Sequence, residues 1–139
     1  MPLLTRRFIR LSLIYLVAAL LLGVLVEGRT ALSLPPGLNT LRPVYFHLFM
    51  VGWVTQLIFG VIYWMFPKAS PQRPRGSEVL NWATFGLLNA RLVLRAVGEP
   101  LGALRPEAVW GWLLALSALL QWLAGLLFVL NAWARVKVR

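Results

Sequence analysis

The sequence predicts an all-α integral membrane protein: a single domain of four transmembrane helices in a bundle, with both termini on the cytoplasmic side. Three observations lead there. The 139 residues are 60% hydrophobic and 13% charged, whereas a soluble domain carries about 25% charged residues. The mean hydropathy is +0.76. The apolar residues fall into four runs, each near the roughly 20 residues that a bilayer core requires. Lipid can accept this much apolar surface, and one soluble core of this size cannot.

The first run spans about residues 8–26 and follows Arg6, Arg7 and Arg10. That layout suits a signal peptide, but Val24-Leu25-Val26-Glu27 is not a small-residue cleavage site, so a retained helix is expected. The second run covers about 44–66, the third 79–97 and the fourth 108–133. Proline-rich breaks separate them: Leu34-Pro35-Pro36-Gly37 with Arg42-Pro43, then Pro67, Pro71 and Pro74 with Gly76, then Gly98-Glu99-Pro100 through Arg105-Pro106. Proline lacks an N–H and resists helix interiors, so these clusters are expected to stop the helices.

Charge sets the orientation. Arg6, Arg7, Arg10, Lys68, Arg73, Arg75, Arg135, Lys137 and Arg139 fall on one side, and Arg29, Arg42 and Arg105 on the other. The positive-inside rule makes the first side cytoplasmic, in the inner membrane of a bacterium. The same distribution explains the net charge of +10 without nucleic acid, because the basic residues punctuate apolar runs and form no stripe on a folded surface. The absence of cysteine removes disulfides, thiolate metal sites and covalent haem attachment. Trp64, Trp82, Trp110 and Trp133 are expected at the membrane boundaries, and Trp53, Trp112 and Trp122 in packing positions.

Few residues could carry chemistry. On a wheel of 100° per residue, Tyr45, Gly52, Gln56, Gly60 and Tyr63 share one face of the second helix. Small residues and an amide suit close packing in lipid, so this face should turn inward. His47, the single histidine, falls on the opposite face with Val51, Val54, Ile58 and Met65. It lies about one turn, roughly 6 Å, from the outer end of its helix. It then meets a partner helix, a cofactor or lipid. In the third helix Asn81, Thr84, Leu88, Arg91 and Arg95 form one stripe. An arginine within a bilayer costs at least ~2.5 kcal/mol at the centre, so it needs a partner or a role. Arg95 is placed to snorkel to headgroups, and Arg91, one turn deeper, to bind an anion such as a lipid phosphate, a haem propionate or a partner's carboxylate. Glu27, Glu78, Glu99 and Glu107 all read as helix ends or loops, which leaves no acid for an internal ion pair. The fourth helix carries Trp110, Leu114, Ser117, Gln121, Gly125 and Phe128 on a packing seam, with Gln121 offered for an interhelical hydrogen bond. No paired carboxylate, nucleophile with a base, or phosphate loop is evident, and no membrane-embedded acid of the kind a proton pump uses.

The second helix also resembles a known family. Arg42-Pro43, His47, Gly52-Trp53-Val54-Thr55-Gln56, Gly60-Val61 and Tyr63-Trp64-Met65-Phe66-Pro67 are similar to the second transmembrane helix of the catalytic subunit in the haem-copper oxidase and nitric oxide reductase superfamily. In that family the helix descends from the outer side, and a histidine in its outer part is an axial ligand of the low-spin haem. The resemblance therefore implies a haem-ligand position at His47, with Arg91 and Arg95 as propionate or anion contacts. It covers about a sixth of the chain. The family's catalytic subunit has many more helices and several more histidines, so the resemblance implies a truncated relative or a small accessory subunit beside larger haem-containing respiratory subunits. Two alternatives stand next to it. One is a b-type cytochrome in which two copies place their His47 side chains on one haem b. The other is a quinone- or lipid-binding membrane protein using His47, Arg91 and Gln56.

Overall fold

The computed structural model describes residues 1–136. Lys137 and Arg139, counted above with the C-terminal tail, lie outside them. Among the described residues all regular secondary structure is helical. Helix α1 is Leu3–Glu27. A 3-10 turn, Pro36–Leu41, leads into a second rod made of α2 (Arg42–His47), a π-helical stretch (Leu48–Thr55) and α3 (Gln56–Met65). Helix α4 is Glu78–Leu104 and α5 is Ala108–Trp133.

The four rods match the four apolar runs, with differences that have physical causes. Helix α1 starts at Leu3 rather than near residue 8, because arginine is a good helix former and only Pro2, at the N-cap, interrupts the backbone. The expected break at Gly98-Glu99-Pro100 is not a break: α4 runs through Pro100 to Leu104. Proline removes one hydrogen bond, that to the Ala96 carbonyl. Close packing on α5 holds this turn in place, and a Cβ on Gly98 or Gly102 would stand 3.2 Å from Leu114 or Trp110 side-chain atoms.

Three of the rods are long and apolar enough to cross a membrane, spanning Leu3–Glu27, Pro36–Met65 and Ala108–Trp133. Helix α4 has the length, about 40 Å at 1.5 Å per residue, but it carries Arg91, Arg95 and Glu99. Four members of its polar stripe face inward: Asn81, Thr84, Leu88 and Arg91 are all buried.

Pairing follows from small residues. Gly52 sits against Tyr15 and Gly60 against Phe8, where an added Cβ would come within 2.9 and 2.7 Å of those side chains. These contacts run in opposite chain directions, so α1 and the second rod are antiparallel, and only glycine lets the backbones come this close. Gln56, between the two glycines, is fully buried on the same face, and neither of its amide atoms has a hydrogen-bond partner among the described residues. Helices α4 and α5 form the second antiparallel pair. The pairs meet through Phe59 stacked on Phe128 at 3.7 Å, Phe8 edge-on to Phe85 at 5.0 Å, and the Tyr15 hydroxyl donating to Asn89 Oδ1 at 2.7 Å.

The π-helical stretch shifts the second rod off a uniform wheel. Val51 and Met65 were expected on one face, yet Val51 is in the core and Met65 is exposed. The wider turn of a π-helix, with its i→i+5 spacing, rotates the later turns of the rod relative to the earlier ones, and Thr55 Oγ1 donates to the Met50 carbonyl at that spacing, 2.8 Å away. On α5 the expected seam packs through Trp110, Leu114, Ser117 and Phe128, which meet Gly102, Gly98, the Arg91 carbonyl and Phe59, while Ala124 and Asn131 are buried beside it. Gln121 is exposed and makes no interhelical bond among the described residues, and Trp112 and Trp122 are exposed rather than packed. On so apolar a helix, hydropathy alone cannot place every side chain.

Candidate functional site

The end of α2 and the C-terminal half of α4 bring together residues singled out from sequence. His47 closes α2, and Arg91, Arg95 and Glu99 occupy successive turns of α4. Arg91 Nη2 lies 3.0 Å from His47 Nδ1, and Arg95 Nε lies 3.1 Å from His47 Nε2. Arg95 Nε also pairs with Glu99 Oε1 at 3.0 Å, and His47 Nε2 is 3.7 Å from the same oxygen. Arg91 is 1% exposed. The His47 side chain is 27% exposed and the Glu99 side chain 15%, so both sit at the rim.

Two expectations change here. Glu99 is not in a loop, because α4 passes through Pro100 and carries it one turn above Arg95. An i,i+4 ion pair, Arg95 with Glu99, therefore exists where none was foreseen. Arg95 is accordingly engaged with protein groups rather than extended to headgroups. His47 faces the partner helix, the first of the three possibilities open to it.

The hydrogen-bond balance of this cluster is uneven. An uncharged imidazole offers one lone pair and an imidazolium none, while guanidinium groups only donate. Two guanidinium groups thus compete for at most one acceptor on His47. Arg91 Nε and Nη1 are buried with no partner among the described residues. The Arg91 carbonyl accepts from Ser117 Oγ at 3.1 Å, which ties this turn of α4 to α5.

A haem would need an imidazole nitrogen directed at iron. Both His47 nitrogens are instead directed at guanidinium groups of the same chain, so in this arrangement the ring does not present a free axial ligand. Gln56 is buried with neither amide atom hydrogen-bonded among the described residues, so no hydrogen bond joins it to the His47 cluster as one quinone site would require.

A second polar constellation, not foreseen as a unit, lies at the opposite end. Asn131 of α5 accepts from the Ser77 N–H at 2.7 Å and donates to Asn81 Oδ1 at 2.9 Å and the Arg75 carbonyl at 3.2 Å. Asn81 in turn donates to the Ser77 carbonyl at 2.8 Å. Arg135, 2% exposed, donates to the carbonyls of Tyr63, Phe66 and Pro67 at 3.1, 2.8 and 3.1 Å. Those carbonyls close α3, where a cation also complements the helix dipole. Burial draws the Arg135 guanidinium below its ordinary pKa. In sequence Arg135 was legible only as one charge of the tail. A hydrophilic side chain two residues beyond an apolar run gives no sign of which carbonyls it will reach.

Comparison with known proteins adds no relative: no family model, no curated protein and no solved structure matches this chain.

Proposed function

We propose that this chain is a four-span protein of the bacterial inner membrane, with both termini cytoplasmic, and a non-catalytic subunit of a haem-copper-type respiratory complex. Nitric oxide reductase is the complex proposed. The membrane part is supported by three apolar rods whose surfaces expose Leu13, Val17 and Leu20, Met50 and Ile58, and Leu119 and Leu130. The polar residues of α4 turn away from that surface, so it can complete a fourth span without presenting Arg91 to lipid. The two-sided distribution of loop arginines supports the orientation.

One observation carries the choice of a non-catalytic role: a guanidinium nitrogen stands within 3.1 Å of each ring nitrogen of His47, one of which accepts. At the position where the resembling helix holds a haem ligand, this chain uses its histidine as a hydrogen-bonding bridge between α2 and α4. The resemblance then argues for descent from, and residence beside, the catalytic subunit rather than for its chemistry.

The test is spectroscopic and compositional. The chain expressed alone in a haem-competent host and purified in mild detergent should give a flat reduced-minus-oxidised visible spectrum. From native membranes it should migrate with haem-containing subunits on a native gel. A stoichiometric b-type band that is lost in His47→Ala would overturn this reading in favour of a cytochrome shared by two copies. Migration alone from native membranes would remove the subunit assignment.

A further inference from the structure

The end of the molecule that carries Arg135 has a cleft that the proposed role does not use. It is about 210 Å³ in volume and lies between the exit of the second rod and the end of α5, lined by Trp64, Phe66, Lys68, Arg75 and Arg135 among others. It shares Phe66, Pro67 and Arg135 with an adjoining recess of about 200 Å³. Three lining residues are cations, and neither set of lining residues includes an acid.

The Arg135 side chain and the Arg75 backbone are held in place before any ligand arrives. Arg135 is fixed by three carbonyl oxygens of the rod's last turn and the residues after it. The backbone of Arg75 is fixed because its carbonyl accepts from both Asn131 and Asn81. The Nε of Arg75 is buried with no hydrogen-bond partner among the described residues, and an unmet buried donor favours an acceptor brought from outside. Trp64 is 45% exposed at the rim, and Trp133 nearby on the same end is 77% exposed. Both stand at the ends of their helices, a position that suits the headgroup layer of a bilayer, so on the membrane reading the cleft opens toward lipid phosphates. Trp64 and Phe66 form the apolar side of the cleft.

We propose that this cleft binds a phosphate group, and that its source is the headgroup of an anionic phospholipid in the cytoplasmic leaflet, held by Lys68, Arg75 and Arg135. Basic pockets between helices on the cytoplasmic side suit such headgroups, each cation near the surface adding attraction for negative lipid. The inference rests on the membrane reading, but not on the respiratory partner.

The experiment uses the full chain in mild detergent, with native mass spectrometry after titration with phosphatidylglycerol, phosphatidylcholine or inorganic phosphate. The double variant Lys68→Gln, Arg75→Gln serves as comparison, since neither side chain makes the carbonyl bonds that hold the end together. The expected result is a discrete phosphatidylglycerol adduct preferred over phosphatidylcholine. That preference should fall by roughly an order of magnitude or more in the double variant and weaken as salt is raised. Inorganic phosphate bound by the native chain and not by the variant, without lipid preference, would support the phosphate site and assign its source to the free anion. Equal adducts of the two lipids, or a phosphatidylglycerol preference that survives in the variant, would overturn the proposal. Far-ultraviolet circular dichroism of the variant separates loss of the site from loss of fold. A chain that stays monodisperse without detergent would instead sink the membrane reading, whatever the lipid result.

Discussion

Replacing His47 by alanine takes away the acceptor that faces Arg91 Nη2 at 3.0 Å. Arg95 Nε has Glu99 Oε1 as an acceptor, so the single lone pair of a neutral His47 is assigned to Nδ1. Arg91 is 1% exposed, and its Nε and Nη1 already lack partners, so the variant leaves the whole buried guanidinium without a side-chain acceptor. A hydrogen bond to a charged group contributes about 1.5–3 kcal/mol, and stranding a buried charged donor costs at least as much. The expected loss is about 2–3 kcal/mol. Arg91→Met tests whether that cost belongs to the guanidinium. Exchanging a buried charge for an apolar side chain of similar volume is often neutral or stabilising, so Arg91→Met alone should change stability little. On that background His47→Ala should cost less than about 1 kcal/mol, because no stranded charge remains. The coupling between the two changes is then about 2 kcal/mol, roughly thirtyfold in the unfolding equilibrium. Denaturation by sodium dodecyl sulfate in mixed micelles, followed by circular dichroism at the helical band, measures all four corners of this cycle. An identical cost of His47→Ala in the two backgrounds would rule out a stranded charge as the cause, and so would a silent His47→Ala.

Three further outcomes are expected. Gly60→Ala should destabilise by about 1–3 kcal/mol, since its Cβ would stand 2.7 Å from Phe8 Cβ and push α1 from α3. Gly86→Ala, with open space around the added carbon, should instead gain up to about 1 kcal/mol from helix propensity; equal effects of the two in the same micelle titration would mean that α1 and α3 are not in close contact. Gly76→Ala should be among the most damaging changes at the Arg135 end: φ is +73°, which costs an L-residue about 1–2 kcal/mol, and the new Cβ would strike Asn131 Oδ1, the acceptor of the Ser77 N–H. A thermal midpoint equal to that of the native chain would show that the Asn131 network does not hold this end. Finally, because the chain has no cysteine, single Ser70→Cys and Asn39→Cys variants report orientation directly. An impermeant maleimide added to intact cells should label position 39 and spare position 70, and the reverse pattern would invert the topology.

The polar stripe of α4 shows how far local pattern reaches. Asn81, Thr84, Leu88 and Arg91 recur at helical spacing in an otherwise apolar run, and all four are buried. Spacing also placed Gly52, Gln56 and Gly60 on a packing face, and they lie against α1 or are fully buried. On α5 it placed Leu114, Ser117 and Phe128 correctly but not Gln121 or Trp122, which are exposed, because nearly every residue there is apolar. It failed again where backbone geometry departs from 3.6 residues per turn, so that Val51 and Met65 part company across the π-helical stretch.

Four helical rods, the dominance of apolar residues in three of them, and the cost of accommodating His47, Arg91 and Arg95 are all legible along the chain. Helix periodicity, run length and desolvation cost are properties of neighbours in sequence, so they can be read without a structure. The partners of those costly groups emerge only when the rods pack. Arg91 finds His47 at a separation of 44 residues, Ser77 finds Asn131 at 54, and Tyr63 finds Arg135 at 72. Packing also carried α4 through Pro100, which turned Glu99 from a loop residue into the counter-charge of Arg95. Each of these depends on how two rods are set against one another in height and rotation, and side-chain packing over the whole interface sets that, not the segment in which any one residue stands.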